Sequence, residues 1–496
     1  MNMRMDADFH LQYMATKPAR AGVQMKEEMT CRFLHLSDIH FGQKSGTVAK
    51  HNHIRNALLT DAKNLASKRG PATRILITGD IAFSGKPDEY ETAADWLEKL
   101  TGACGCKDYT EVSTIPGNHD CDRDAISNQA RMIYATLRAH NPDAVQASLA
   151  EINQDGEAAN PFLPKLQAYS KFASSYGCPF ESPARPLWVR DFDMRHGIKV
   201  RLHGLTSVQV SNAEDAPGNM ILGNEQYMIS EVENVVNVVL VHHPLAWFKD
   251  KTEASQYLQN NARVIMVGHE HMLNIQKTED ALAGKEWLVV FAGATNPPDG
   301  EAYGYTYNWL EFSFEERAGH HHLIVEIYPR AWNQHNVRFD ADHSRLVAPA
   351  EFARIEVACP NVHPDPEQER PNGAGPAESP VAARIAESVS LSSTALTEEP
   401  VSSEPGRANM NTDSVGFDRL RYLFWRYLDW QQRLKILVDV DALPKTAEQP
   451  VPQTLERVAL ETAARSEGKL YALWEAMMPL LPQDKRATNP FKSNDR

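Results

Sequence analysis

The run RILITGD at residues 74–80 decides the fold. Ile75, Leu76 and Ile77 are consecutive apolar residues in a run too short for a helix, which reads as a buried strand. Gly79 then lets the backbone turn tightly, so that Asp80 leaves the strand at its C-terminal end. The same grammar recurs along the chain. CRFLHLSDIH (31–40) carries Asp38 and His40 behind a strand, and EVSTIPGNHD (111–120) carries Asn118 and His119. VVNVVLVHHP (235–244) carries His242 and His243, and RVIMVGHEH (263–271) carries His269 and His271. Strands are predicted at 31–36, 74–78, 111–115, 199–205, 235–241, 263–267 and 287–292, with helical spacing at 54–65 and 90–100. That alternation predicts a layered α/β fold with functional loops at the strand ends. A mostly helical stretch at about 124–182 reads as an inserted cap, and 310–314 with 323–328 as a late antiparallel hairpin.

The remaining sequence bounds the molecule. At 496 residues with 42% hydrophobic and 23% charged content, the chain has room for two or three domains of ordinary soluble composition. No apolar run reaches the roughly 18–20 residues that span a bilayer, so no membrane association is expected. Residues 1–30 show no secretory pattern and read as a disordered leader. Cys31, Cys104, Cys106, Cys121, Cys178 and Cys359 have neither disulfide nor zinc spacing, which predicts reduced thiols in a cytoplasmic protein. A net charge of −14 does not favour nucleic acid as a partner, though it leaves room for a local basic groove.

Residues 359–415 are rich in Pro, Ser, Glu and Gly and read as a flexible linker, setting the end of the α/β domain at 358. Beyond it, helical patterning returns over 416–482, a small all-α domain. One face carries Phe417, Leu420, Phe424, Tyr427 and Leu428, a second Leu455, Val458, Ala459 and Thr462, and a third Leu470, Leu473, Trp474 and Met477. The stripe of Phe417, Phe424, Tyr427 and Trp430 reads as core or a partner-facing surface, and 483–496 as a disordered tail.

Carboxylates, imidazoles and one carboxamide delivered to a common sheet edge suit borderline divalent ions such as Mn, Fe, Zn or Co. One carboxylate can bridge two such ions about 3.5–4 Å apart, the arrangement used in phosphate ester hydrolysis. A single His-x-His pair arises readily by chance; the ordered set does not. Other histidines read as ordinary: His35 in a strand, His51 and His53 solvated at a helix start, His320, His321 and His322 at a hairpin tip. Tyr303, Tyr305, Tyr307 and Trp309 alternate at strand spacing, which reads as sheet packing, with stacking on a nucleotide base as the alternative behind the 293–296 loop.

Taken in order, D-x-H, G-D, G-N-H-D, H-x-P and G-H-x-H over about 31–330 resemble the calcineurin-like metallophosphoesterases. The resemblance implies a two-sheet sandwich flanked by helices. It implies two divalent metal ions, one held by Asp38, His40 and His271 and the other by Asn118, His242 and His269, with Asp80 bridging. His242 is preferred to His243 because the ligand stands two residues before the proline. His119 becomes the catalytic histidine outside the ligand set, and a bridging hydroxide the in-line attacker. Two departures narrow the subclass. Phe83-Ser84-Gly85 lacks the Asp-Arg pair of the protein phosphatases, and Phe83 stands where purple acid phosphatases place a tyrosine ligand. What remains is similar to the phosphodiesterase branch, with a nucleotide or small phosphodiester as substrate and a nuclease as the alternative. Residues 416–482 resemble the small effector-associated or death-fold-like domains of bacterial signalling and defence enzymes, which implies a protein partner there.

Overall fold

The structure is a computed structural model that describes residues 30–43, 48–154, 160–194, 197–280, 285–297, 304–317, 320–346, 349–363, 414–444, 451–466 and 468–491. The leader (1–29) and most of the linker (364–413) therefore lie outside the described residues. The strands are β1 (Cys31–Leu36), β2 (Arg74–Ile77), β3 (Val112–Thr114), β4 (Trp188–Asp193), β5 (Lys199–Gly204), β6 (Val235–Val241), β7 (Val264–Val267), β8 (Ile275–Asp280), β9 (Lys285–Phe291), β10 (Thr306–Arg317), β11 (His320–Asn333), β12 (Arg338–Ala341) and β13 (Ala353–Ala358). The helices are α1 (Val48–Arg69), α2 (Pro87–Ala103), α3 (Asn128–Ala139), α4 (Pro142–Gln154), α5 (Gln167–Ser175), α6 (Asn224–Tyr227), α7 (Lys251–Asn261), α8 (Ser414–Tyr427), α9 (Trp430–Asp439), α10 (Gln453–Ala464) and α11 (Lys469–Met477).

Two mixed sheets flanked by helices, together with a C-terminal helical region, make up the fold. The first sheet runs β12-β11-β10-β1-β2-β3 with β13 paired to β11, and the second runs β4-β5-β6-β7-β9-β8. In each sheet the strands that deliver the motifs are parallel: β1 with β2, β2 with β3, and β6 with β7. Alternation along β6 shows how the layers are filled. Val236, Val238 and Leu240 enter the large core shared with the first sheet, while Val239 and Val241 meet Ala254 and Leu258 of α7 on the outer side. Burial on both faces explains why β6 is an unbroken apolar run.

Edge strands were the hidden part of the sheets. β4 and β8 close the second sheet and carry WVRDFD and IQKTED, which lack the unbroken apolar run that marks β6. The helical insert appears as α3, α4 and α5. Its base is tied down by Lys165, whose buried ammonium donates to the carbonyls of Gln209 and Ser211, both at 2.7 Å. His320, His321 and His322 begin β11 rather than forming the hairpin tip, opposite Arg317, Glu316 and Glu315.

Past β13 of the first sheet the described chain runs beyond the expected end at residue 358. Cys359 and Val362 are buried, and the Asn361 amide donates to the carbonyls of Val232 and Val235. The C-terminal helices do not stand apart. α8 packs on α5, with Tyr422 touching Tyr176 and Tyr109 at ring separations of 5.5 and 4.9 Å. Cations of the module meet acceptors of the first domain: Arg419 pairs with the buried Asp108, Arg426 with Asp95 at 3.1 Å, and Lys485 with Glu98 at 3.0 Å. Residues 483–491, expected as tail, include the 3-10 turn Gln483–Lys485 and end on Phe491, which is buried against Trp474. On α10 the expected inward pair Leu455 and Val458 points outward. Ala459, Leu460, Ala463 and Glu456 are the buried residues, and Glu456 is paired with Arg433 of α9 at 2.9 Å.

One buried histidine outside the motifs gives a pH dependence. Burial holds the His203 imidazole down at about 4, although it bonds Asn237 Oδ1 at 2.9 Å. The native ring stays neutral while the unfolded one protonates near 6.5, so this contribution is intact above pH 6.5 and is lost as pH falls toward 4. We expect His203→Gln to remove on the order of 3 kcal/mol of acid destabilisation between those limits, from about 1.4 kcal/mol for each tenfold change in proton affinity. Denaturant midpoints of parent and variant at pH 7 and pH 4 measure it.

Candidate metal centre

Five strand ends meet at one edge of the sandwich, and the turn geometry aims their side chains together. Gly79 sits at φ +99°, where a Cβ would meet His242 Nδ1 at 2.5 Å, so glycine is required both by conformation and by space. Asp38, His40, Asp80 and His269 lie on left-handed backbone at φ between 51° and 60°, which side-chain-bearing residues adopt only against a cost. Backbone bonds lock the loops to one another: Asp38 N to Gly79 O at 3.1 Å, His40 N to Asp80 O at 3.0 Å, and Asn296 N to Asp38 O at 2.9 Å.

Around Asp80 the donors are close and mutually oriented. Its Oδ2 lies 3.4 Å from both His40 Nε2 and His242 Nε2, and its Oδ1 accepts from His119 N at 2.7 Å. Asn118 Oδ1 is 3.2 Å from His242 Nε2 and 3.2 Å from His269 Nδ1. His271 Nε2 lies 3.4 Å from Asp38 Oδ1. Three carbonyls fix the rings: His242 Nδ1 donates to Thr78 at 2.7 Å, His40 Nδ1 to Asn296 at 3.1 Å, and His119 Nδ1 to Phe83 at 2.8 Å. A carbonyl only accepts, so Nδ1 carries the hydrogen and Nε2 is left facing inward.

The structure thus brings Asp38, His40, Asp80, Asn118, His119, His242, His269 and His271 to one place. Three overlapping groups have ligand atoms within 4.8 Å of one another: Asp38, Asp80 and His242; His40, Asp80 and His119; and His242, His243 and His269. His243 is therefore also present, held by Ser207 Oγ at 2.9 Å, but among the described residues only His242 also groups with Asp38 and Asp80.

Electrostatics and hydrogen bonding together test the fit to cations. Among the described residues no donor meets either buried carboxylate oxygen of Asp38 in hydrogen-bond geometry, His271 Nε2 standing off Oδ1 at 3.4 Å. Burial alone would push Asp38 and Asp80 up; contacts with His271 and His242 for Asp38, and with His242 and His119 for Asp80, turn both below the usual carboxylate range. Burial would lower His242, but Asp80 lifts it to about 9, while burial and His242 hold His269 at about 4. Carboxylate and carboxamide oxygens crowded by imidazole nitrogens at 3.2–3.4 Å are the donor set of a divalent ion. The residues fit.

An outer layer was not anticipated. His51, expected to be solvated, is buried, with Nδ1 3.5 Å from Asn296 Nδ2; that amide also donates to Gln43 Oε1 at 3.0 Å. Asn296 follows β9 as the motif residues follow their strands, which was the available signal. Trp247 packs edge-on to His269 with centroids 4.3 Å apart, and Phe83 stacks on His119 at 5.1 Å. By contrast Tyr305, Tyr307 and Trp309 are buried in the sheet, which is the packing role; Tyr303 lies outside the described residues.

Comparisons with known proteins add family and fold. Residues 31–273 match the model of the calcineurin-like phosphoesterases, and residues 416–479 that of the GTPase-associated adaptor domain. Similar solved structures include a 5'-nucleotidase precursor from Thermus thermophilus, at 15% identity over 58% of this chain and 52% of that one, TM-score 0.30. Others are the NAD nucleotidase of Haemophilus influenzae, at 12% identity, 63% and 53% coverage and TM-score 0.32, and a purple acid phosphatase from yellow lupin seeds, at 11%, 60% and 51%, and 0.34. The chain spans about half the length of each. No curated protein matches the sequence. Ordered motifs, the two-sheet frame and the His/Asp cluster agree: residues 31–273 form a calcineurin-like phosphoesterase domain, joined in the same chain to a GTPase-associated adaptor domain.

Proposed function

We propose that this metallophosphoesterase is a phosphodiesterase acting on a nucleotide or another small phosphodiester. The observation that carries the reading is the character of the charged surroundings. Among the described residues, the side chains paired or stacked with Asp38, Asp80 and His119 are histidines and Phe83, with no arginine or lysine. A monoester dianion is commonly clamped by guanidinium groups, whereas a diester carries one charge and needs fewer cations. Flat faces at Trp247 and Phe83 beside His269 and His119 supply walls for a planar leaving group.

Asp38, His40 and His271 would hold one ion, Asn118, His242 and His269 the other, with Asp80 shared. Two divalent ions so bound would polarise the phosphoryl oxygens and lower the pKa of a water. His119, fixed through Nδ1 by the Phe83 carbonyl, turns Nε2 toward the site and can pass a proton to the leaving oxygen. His119→Ala is expected to lower kcat by about 10²–10⁴-fold with bound metal unchanged. The assay is bis(p-nitrophenyl) phosphate against p-nitrophenyl phosphate, with Mn, Fe, Co or Zn under reducing conditions and DNA and RNA run on gels. Preference for the monoester, or no turnover with any ion, overturns the reading; cleavage of nucleic acid alone favours a nuclease.

The adaptor domain supports a GTPase-associated protein as partner. Trp430, Leu455 and Val458 stay exposed on it. Unpaired, mostly buried cysteines agree with a reducing, cytoplasmic setting. Among the described residues no helix is long and apolar enough to cross a membrane.

A further inference from the structure

Asp120 is the last residue of the Gly-Asn-His-Asp turn, and the donor set above leaves it unused. Its carboxylate is fully buried and accepts from Gly117 N at 2.9 Å, Ala82 N at 2.9 Å and Ile81 N at 3.2 Å. It thereby ties the turn that carries Asn118 and His119 to the turn that follows Asp80. Its fourth donor is the Tyr90 hydroxyl, at 2.9 Å, from α2.

Tyr90 is the inner end of a row of aromatic rings that leads out of the domain. Its ring meets Phe172 of α5 at 5.1 Å, Phe172 meets Tyr176 at 5.1 Å, and Tyr176 meets Tyr422 of α8 at 5.5 Å. Helix α2 is gripped a second time from the same side. Arg426 reaches the Glu91 carbonyl and the Asp95 carboxylate, both at 3.1 Å, and Lys485 reaches Glu98. All three acceptors lie on the helix that carries Tyr90.

We propose that Tyr90 and Asp120 are positioning residues for the metal centre, and that the docked adaptor helices hold them through α2 and α5. The adaptor domain is then a structural support of the active site as well as a recognition module. A packed row of rings conveys position because interiors are dense and stiff, and outer partners of ligand residues typically change metal affinity or activity by about 10–100-fold.

The test uses the full chain stripped of metal and reloaded with Mn²⁺. Tyr90→Phe removes one hydroxyl and keeps the ring. Arg426→Asp breaks the grip on α2, and Arg426→Asp with Asp95→Arg restores its ion pair in reverse, without the bond to the Glu91 carbonyl. Calorimetric Mn²⁺ titration is read without turnover, and kcat and KM are read on bis(p-nitrophenyl) phosphate. We expect Tyr90→Phe and Arg426→Asp each to weaken Mn²⁺ binding and lower kcat by about 10-fold, with KM unchanged, and the double reversal to recover both. Parent-like Mn²⁺ affinity in both single variants, at parent-like melting temperature, overturns the proposal. If Arg426→Asp does not fold, Lys485→Glu with Glu98→Lys takes its place. The substrate rests on the phosphodiesterase reading but the titration does not, so a parent enzyme that binds Mn²⁺ without cleaving the diester fails that reading alone.

Discussion

Asp80→Asn is expected to leave a folded protein that binds at most one ion and turns over at least about 100-fold more slowly, since even outer partners cost about 10–100-fold. Asparagine keeps the shape of the side chain and tolerates the left-handed backbone at this position. The amide of His119 retains an oxygen to donate to. What disappears is the charge that faces His40 and His242 together. Elemental analysis of the reloaded variant beside its kcat decides the matter: two bound ions with near-parent turnover would remove Asp80 from the centre of the site.

Gly117→Ala should do comparable damage by a different route. Gly117 has φ −105°, open to any residue, so the demand here is for space. A Cβ would strike the Asp80 carboxylate and lie 2.5 Å from its amide nitrogen. Neither can retreat, because Asp80 is packed among histidines and its loop is bonded to the loop after β1. Overpacking of this kind costs about 1–3 kcal/mol, and the displaced carboxylate should cost most of the activity. Gly102→Ala is the control: nothing lies within 4 Å of the added carbon, and helix α2 should gain about 0.5–1 kcal/mol. Melting temperatures and kcat of the two alanine variants should therefore diverge; equal behaviour would mean the close approach at Gly117 is relieved by the backbone.

The sequence was legible where burial is two-sided. β1 and β6 are apolar enough to show their full bounds, and the motif residues sit directly past such strands. Glycines announced the turns because Gly79 and Gly117 have no substitute there. Legibility failed where a residue's partner is distant in the chain. β4 and β8 interleave polar residues with their few apolar ones and are completed by a neighbour strand, so no unbroken apolar run marked them. Arg419, Arg426 and Lys485 look like solvated charges until Asp108, Asp95 and Glu98 are brought against them. His51 looked exposed because its neighbour Asn296 is brought to it only by the fold. On α10, Leu455 and Val458 satisfied a helical spacing, but the choice of face belonged to Arg433 and its bond to Glu456.

The left-handed backbone at Asp38, His40, Asp80 and His269 has a mechanical meaning. Each such position stores about 1–3 kcal/mol, and the four together rival the roughly 5–15 kcal/mol that hold an ordinary domain folded. The sheets act as a vice, and the catalytic edge is the spring compressed between their jaws. A spring slackens before its vice breaks. Mild heat or denaturant should be felt at this edge first, as ions leaving a chain whose strands are still intact.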